Sequence, residues 1–252
     1  MNFYLYSQYY DLLYKDKPYK EEAEYVFKTL TAKNASPIKN VLELGCGSGN
    51  HAHWLTQMGW NITGIEKSEE MVTLAKSKEI DNFLPIHGDI TNINIDQQYD
   101  AAISLFHVIS YLNSNDEINN CFSSVNRHLS IGGLFLFDVW FTPGVYSQKP
   151  ETRIKRMEND KVQIIRLAES DIHYDTNVVD VHYEIIARNK ESNEWSSFTE
   201  NHCMRHFSIP EIKLLAALHG FDIVQMEEFI THNKPSDNTW AVCFILKKIK
   251  DV

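Results

Sequence analysis

Along residues 40 to 139, short apolar runs alternate with stretches of helical period, the pattern of βαβ units around a mainly parallel sheet. Val41-Leu-Glu-Leu44, Asn61-Ile-Thr-Gly-Ile65 and residues 83–86, 99–105 and 134–138 read as five strands. Ala23, Val26, Phe27 and Leu30 recur at i, i+3, i+4 and i+7 and predict a helix over 20–31 after Pro18. Further helices are expected over 51–58, from a Ser68 cap through 78, and between 113 and 129. In the last of these, Ser114 and Glu117 stand at capping-box spacing, while Ile118, Cys121, Phe122, Val125 and Leu129 form one apolar stripe. Gly132-Gly133 is expected to close that helix and open the fifth strand.

After Val139 the period changes to two. Val162, Ile164, Arg166 and Ala168 alternate with their neighbours, as do Val179, Val181, Tyr183 and Ile185, and a third such run spans 195–203. These predict a small antiparallel sheet inserted at about residues 140–205. Ser208-Ile-Pro-Glu211 then starts a helix through 219, Gly220 stops it, and residues 221–227 and 239–246 read as an antiparallel edge hairpin. The expected fold is α/β: a Rossmann-like, seven-stranded mixed sheet with a small antiparallel β insertion. As one domain over 1–252 it divides into an N-terminal lid and helix (1–35), a cofactor-binding core (36–139), the substrate-side insertion (140–205), and a C-terminal helix and edge hairpin (206–252) that complete the core sheet.

Composition narrows the partners. The 252 residues are 43% hydrophobic, enough for a substantial core. The net charge of −10 works against adhesion to nucleic acid or an anionic membrane, so a small-molecule partner is expected. No basic n-region or long apolar run stands at the start, and a cytoplasmic location is expected, as monomer or homodimer. The four cysteines are far apart without a Cys-x-x-Cys, which points to neither disulfides nor zinc. His51 with His53, and His202 with His206, lack a third ligand at a recognised spacing, so no metal is expected.

The sharpest chemical feature is Glu43-Leu-Gly45-Cys-Gly47-Ser-Gly49-Asn50, between the first strand and the helix that follows it. Glycines there let backbone amides approach a ligand at a helix N-terminus, where the dipole favours a negative group. The dinucleotide fingerprint requires a different third glycine and has no carboxylate at the place of Glu43. Glu43 would repel a pyrophosphate but attract an ammonium, which together with the amides describes an amino-acid end. Glu66 ends the second strand at the spacing from which a carboxylate accepts both ribose hydroxyls. At the end of the third strand Asp89 can accept from an adenine amino group, with Ile90 packed on the ring. Amino acid, ribose and adenine together make S-adenosyl-L-methionine, leaving S-adenosyl-L-homocysteine as product. Lys67 and Met71 are placed with the same cofactor-binding set.

Residues 43–50, Glu66, Gly88-Asp89, Tyr99-Asp-Ala-Ala-Ile-Ser104 and Gly132-Gly133 resemble the successive motifs of the class I S-adenosylmethionine-dependent methyltransferases. The Tyr9-Tyr-Asp-Leu-Leu-Tyr14 opening, the Asp138-Val-Trp140-Phe-Thr-Pro143 passage and the inserted sheet more weakly resemble the members that N-methylate nucleotide-linked amino sugars. That resemblance implies that Tyr14 lies against cofactor and substrate. Before the last strand, Pro235-Ser-Asp-Asn-Thr239 departs from the Gly-Arg-Gly turn of those enzymes.

Methyl transfer from a sulfonium needs nucleophile and methyl held in line, with water excluded and aromatic faces over the charged sulfur. Six of the 12 tyrosines (Tyr4, Tyr6, Tyr9, Tyr10, Tyr14 and Tyr19) fall in the first 19 residues and read as a lid. At the end of the fourth strand Phe106 can cover the adenosyl group, and His107 can accept a proton from an alcohol or ammonium. His107 read as a structural histidine is equally open at this point. Catalysis is thus assigned to Tyr14 and His107, with the acceptor held by Trp140, Tyr146 and Arg153 in a basic, aromatic stretch. Lys155 and Arg156 read as a solvated edge. The expected function is methyl transfer to nitrogen or oxygen of a small polar metabolite, with a nucleotide-activated amino sugar leading. The alternatives are O-methylation of another sugar or phosphorylated intermediate of a surface glycan, and a non-catalytic module that binds S-adenosylmethionine for regulation.

Overall fold

The structure is a computed structural model, described here over residues 9–10 and 12–252. Helix α1 (Tyr19–Lys33) precedes an alternation of β1 (Asn40–Leu44), α2 (Asn50–Gln57), β2 (Asn61–Glu66), α3 (Glu69–Ser77), β3 (Phe83–His87) and β4 (Tyr99–Ser104). A 3-10 turn (Val108–Tyr111), α4 (Asn115–His128) and β5 (Leu129–Phe141) follow, then the short α5 (Thr142–Gln148). The insertion comprises β6 (Arg153–Glu158), β7 (Val162–His173), β8 (Val178–Asn189) and β9 (Trp195–Phe207). The chain closes with α6 (Ile209–Leu218), β10 (Phe221–Glu228) and β11 (Ala241–Lys248).

Seven strands form the core in the order β3-β2-β1-β4-β5-β11-β10, parallel except for β11, which runs antiparallel to both of its neighbours. The expected Rossmann-like mixed sheet is therefore present, with the hairpin at its edge. Parallel strands covered on both faces bury both sets of side chains, which is why residues 134–137 of β5 read as an apolar run without alternation. Its Leu134 and Leu136 pack with Val26 and Leu30 of α1 and Leu55 of α2, while Phe135 and Phe137 pack with Phe122 of α4. The Ser68 cap and the Ser114–Glu117 and Ser208–Glu211 capping boxes all form.

Gly132-Gly133 does not end a helix. The chain passes from α4 straight into β5 at Leu129, which pairs with Tyr99, and the glycines bulge out before pairing resumes at Ala101 and Leu134. A Cβ on Gly133 would come within 2.9 Å of the Ser130 carbonyl oxygen, so the bulge demands glycine for close backbone approach. The insertion holds four strands rather than three, because β6 adds an exposed basic edge to the meander. It joins the core where Trp140 and Phe141 of β5 pair in parallel with His206 and Phe207 of β9. Among the described residues, no helix is long and apolar enough to cross a membrane.

Candidate active site

The strand-to-helix turn after β1 is held to β2 by its own backbone: the N–H groups of Gly45 and Cys46 both donate to the Ile65 carbonyl, at 2.8 and 3.2 Å. Gly45, Gly47 and Gly49 sit at φ +67°, +54° and +80°. A Cβ on Gly45 would lie 2.6 Å from the Val108 side chain, whereas one on Gly47 would meet nothing within 4 Å. At Gly47, bare backbone thus faces open space at a helix N-terminus, a cradle suited to a carboxylate. The space is a cavity of about 930 Å³, bordered by this turn and by residues following β2, β3 and β4. Ligands in open α/β sheets bind at this end of the strands.

Two carboxylates at strand ends, Glu66 and Asp89, line this half of the cavity, and a third, Glu43, is buried within reach of the Glu66 charge. Glu66 accepts hydrogen bonds from the N–H groups of Gly47 (3.0 Å) and Ser68 (2.8 Å), tying the glycine turn to the cap of α3. Asp89 lies 2.9 Å from Lys67 Nζ and accepts from the Thr91 N–H and hydroxyl. Burial acts to raise its pKa, but the Lys67 and Thr91 bonds hold it below the ordinary carboxylate range. Glu43 is different: only 2% exposed, with Oε2 unpartnered, it is pushed up to about 8 by burial and then by the charge of Glu66. It does not itself line the cavity.

The other half begins at the end of β4. Phe106 and His107 are consecutive non-glycine residues at φ +65° and +62°, a conformation costing roughly 1–3 kcal/mol each that persists only where the surroundings enforce it. His107 Nδ1 lies 2.7 Å from Asp138 Oδ2 on β5, and its backbone N–H donates to the same oxygen at 3.2 Å. Burial works to raise the Asp138 carboxyl, yet His107 holds it below its usual value. Phe106 meets Tyr14 edge-on at 5.0 Å, and Lys17 Nζ sits 4.6 Å from the Phe106 ring centre. Opposite stands the inserted sheet. Arg166 lies over the Tyr183 ring at 4.8 Å, and Tyr111 Oη is 2.7 Å from His202 Nδ1. Burial, aided by the Arg166 charge, pushes His202 down to about 4, so its ring is neutral at pH 7.

Comparison with known proteins bears on the whole chain. Residues 41–133 match the model of a methyltransferase domain family. The Bacillus subtilis (strain 168) protein named "Putative methyltransferase YqeM" is 26% identical over 246 residues, 96% of each chain. The dTDP-3-amino-3,4,6-trideoxy-alpha-D-glucopyranose N,N-dimethyltransferase of Streptomyces venezuelae is 28% identical over 140 residues, 55% of this chain and 58% of that one. Among solved structures, the sugar N-methyltransferase KedS8 from Streptoalloteichus sp ATCC 53650 shares the fold at a TM-score of 0.82, with 20% identity, 96% of this chain and 93% of the other being covered. This chain is an S-adenosylmethionine-dependent methyltransferase.

Of the methyltransferase residues expected at the cofactor, Tyr14, Gly45, Gly47, Glu66, Lys67, Met71, Asp89, Ile90 and Phe106 line the cavity just described, together with His107 and Trp140. Glu43 lies outside that lining. Tyr146 and Arg153 are also elsewhere. The Tyr146 ring packs 5.0 Å from His206 and its hydroxyl donates to Asn177, while Arg153 is exposed on the edge strand β6. Tyr10 and Tyr19 line the methyltransferase cavity, Tyr9 stacks on Phe198, and Tyr4 and Tyr6 fall outside the described residues. His51 is buried against Glu22, and His128 is tied to the Ser124 carbonyl; among the described residues no group of three His, Cys, Asp or Glu side chains could hold a metal.

Sequence reasoning missed Arg166, Tyr183, His202 and Tyr111 as cavity residues. For the first two a signal existed. Arg166 sits between Ile164 and Ala168, and Tyr183 between Val181 and Ile185, on the inward face of a two-residue repeat whose other members are apolar. A cation and a phenol on a core-facing row mark a wet opening in that face.

Proposed function

We propose that this methyltransferase transfers a methyl group to nitrogen or oxygen of a small polar metabolite, and that the preferred acceptor is a nucleotide-activated amino sugar. The observation that carries the reading is the two-sided cavity. One wall is the glycine turn with its carboxylates; the other is an aromatic and cationic wall of Tyr14, Trp140, Arg166 and Tyr183. Rings of this kind suit the apolar faces of a sugar, and a guanidinium suits an anionic group on it. The Streptomyces relative and the sugar N-methyltransferase fold support the same acceptor class.

The bound cofactor supplies an electrophilic methyl on a sulfonium. For its amino-acid end the chain offers the amides of the glycine turn and the buried Glu43; for ribose, Glu66; for adenine, Asp89 and Ile90. Met71, Phe106 and Tyr14 exclude water, and Lys67 holds Asp89 in place. Positioning of the two reactants contributes up to about 7–11 kcal/mol of the barrier reduction. His107 Nε2, the ring nitrogen that Asp138 does not engage, receives the acceptor's proton as the new bond forms. Incubation with S-adenosylmethionine and a panel of dTDP-linked amino sugars, beside sugars that offer only hydroxyls, tests the acceptor. S-adenosylhomocysteine formed with an amino sugar is expected; product from hydroxyl sugars alone would replace the reading with O-methylation.

Glu43 makes a separate prediction. Without ligand its carboxyl stays protonated up to about pH 8. An ammonium bound near it stabilises the charged form, so at pH 7 cofactor binding should release a proton. Titration calorimetry in buffers of different ionisation enthalpy should give different apparent binding enthalpies for the wild type and equal ones for Glu43→Gln. Equal enthalpies in the wild type would remove Glu43 from the ammonium site.

A further inference from the structure

We propose that Asp138 is a positioning residue that fixes the imidazole of His107 with its proton on Nδ1, so that Nε2 is kept as the acceptor facing the reaction space. The proposal rests on the reading of His107 as proton acceptor and adds the device that makes it one. Three observations carry it. A single oxygen, Asp138 Oδ2, accepts a hydrogen bond from the His107 backbone N–H at 3.2 Å and lies in charge-pair contact, 2.7 Å, with Nδ1 of the His107 ring. The carboxyl is only 1% exposed, so water does not compete for it. The backbone at His107 is left-handed, a conformation uncommon for any residue with a Cβ, and the backbone contact holds it in place.

Clamped at both backbone and ring, His107 has little freedom to exchange tautomers. A neutral imidazole has one donor and one acceptor nitrogen, and a carboxylate at Nδ1 obliges that nitrogen to be the donor. Asp138 takes no proton in the reaction; it stabilises the imidazolium that forms when the acceptor's proton arrives at Nε2. Other titratable groups act on this carboxyl or lie beside it. Lys17 helps to hold Asp138 charged, His51 of α2 feels its charge while paired to Glu22, and Cys243 of β11 stands in register with it as a thiol whose ionisation burial suppresses.

Nitrogen-15 NMR of the histidine-labelled protein, with His107 assigned by loss of its signals in His107→Gln, reads the tautomer directly at mildly alkaline pH. The wild type should show Nδ1–H. Asp138→Asn, whose amide oxygen can keep both contacts, should also show Nδ1–H; Asp138→Leu, which fills the same buried space without an acceptor, should change to predominantly Nε2–H. These spectra need no acceptor, so a failed acceptor screen leaves this test standing. With a dTDP-linked amino sugar as probe, Asp138→Leu should lose about 100-fold in kcat, with KM and cofactor affinity nearly unchanged, and Asp138→Asn should recover part of the loss. An Nε2–H signal in the wild type, or Nδ1–H surviving in Asp138→Leu, would overturn the assignment. The wild-type spectrum decides even if the leucine variant fails to fold.

Discussion

Glu66→Ala is expected to weaken S-adenosylmethionine binding at least 100-fold, measured by titration calorimetry, while the protein stays folded. In the ligand-free protein this carboxylate already takes hydrogen bonds from Gly47 and Ser68, so it sets the spacing between the glycine turn and α3. Its remaining lone pairs are proposed to receive the ribose hydroxyls. A hydrogen bond to a charged group contributes about 1.5–3 kcal/mol, and losing two, together with the brace on the turn, exceeds the roughly 2.7 kcal/mol that a 100-fold change represents. Asp89→Ala is the internal comparison. Asp89 is engaged by Lys67 and Thr91 and is proposed to give the ligand one bond, so its loss should cost only about tenfold. Equal effects of the two substitutions, or a Glu66→Ala protein that binds within a few-fold of the wild type, would place the ribose elsewhere.

The half proposed to hold the cofactor was legible because its signals are local. A strand, three glycines and a helix follow one another without interruption, and Glu66 and Asp89 are set at strand ends that the apolar runs locate within a residue or two. The half proposed to hold the acceptor depends on contacts between distant parts of the chain. Asp138 lies on β5 and His107 follows the end of the neighbouring β4, an adjacency that no local pattern states, and Asp138 looks in sequence like the polar end of an apolar strand. Arg166 and Tyr183 were visible as irregularities in an alternating pattern, but only the fold of the meander turns that face toward the cavity. Arg153 shows the converse. A basic residue near aromatic ones suggested a substrate contact, and β6 instead carries it on an exposed edge, where charge blocks unwanted strand pairing. Gly132-Gly133 resembled a helix stop because the same residue type serves a β-bulge, and the distinction lies in the Tyr99–Leu129 pairing.

Removing the imidazole is expected to separate chemistry from binding. His107→Ala should reduce kcat by about 10²–10⁴-fold, the usual contribution of a positioned proton acceptor, and leave the cofactor dissociation constant within about threefold of the wild type. Binding is spared because the proposed cofactor contacts come from the ends of β1, β2 and β3 and from Phe106, whereas the His107 ring lies against Asp138 at one nitrogen and is proposed to offer the other to the acceptor. The variant also leaves Asp138 buried without its ring partner, so some loss of stability will accompany it, and thermal denaturation must show a folded protein at the assay temperature. His107→Gln keeps more volume and a hydrogen-bonding group but cannot take a proton, so it should match the alanine variant in turnover. Imidazole added in solution should restore part of the activity of His107→Ala and none of that of His107→Gln, whose side chain fills the space. A ring needed only for packing predicts the reverse: glutamine near wild type, alanine impaired through stability, and no response to added imidazole.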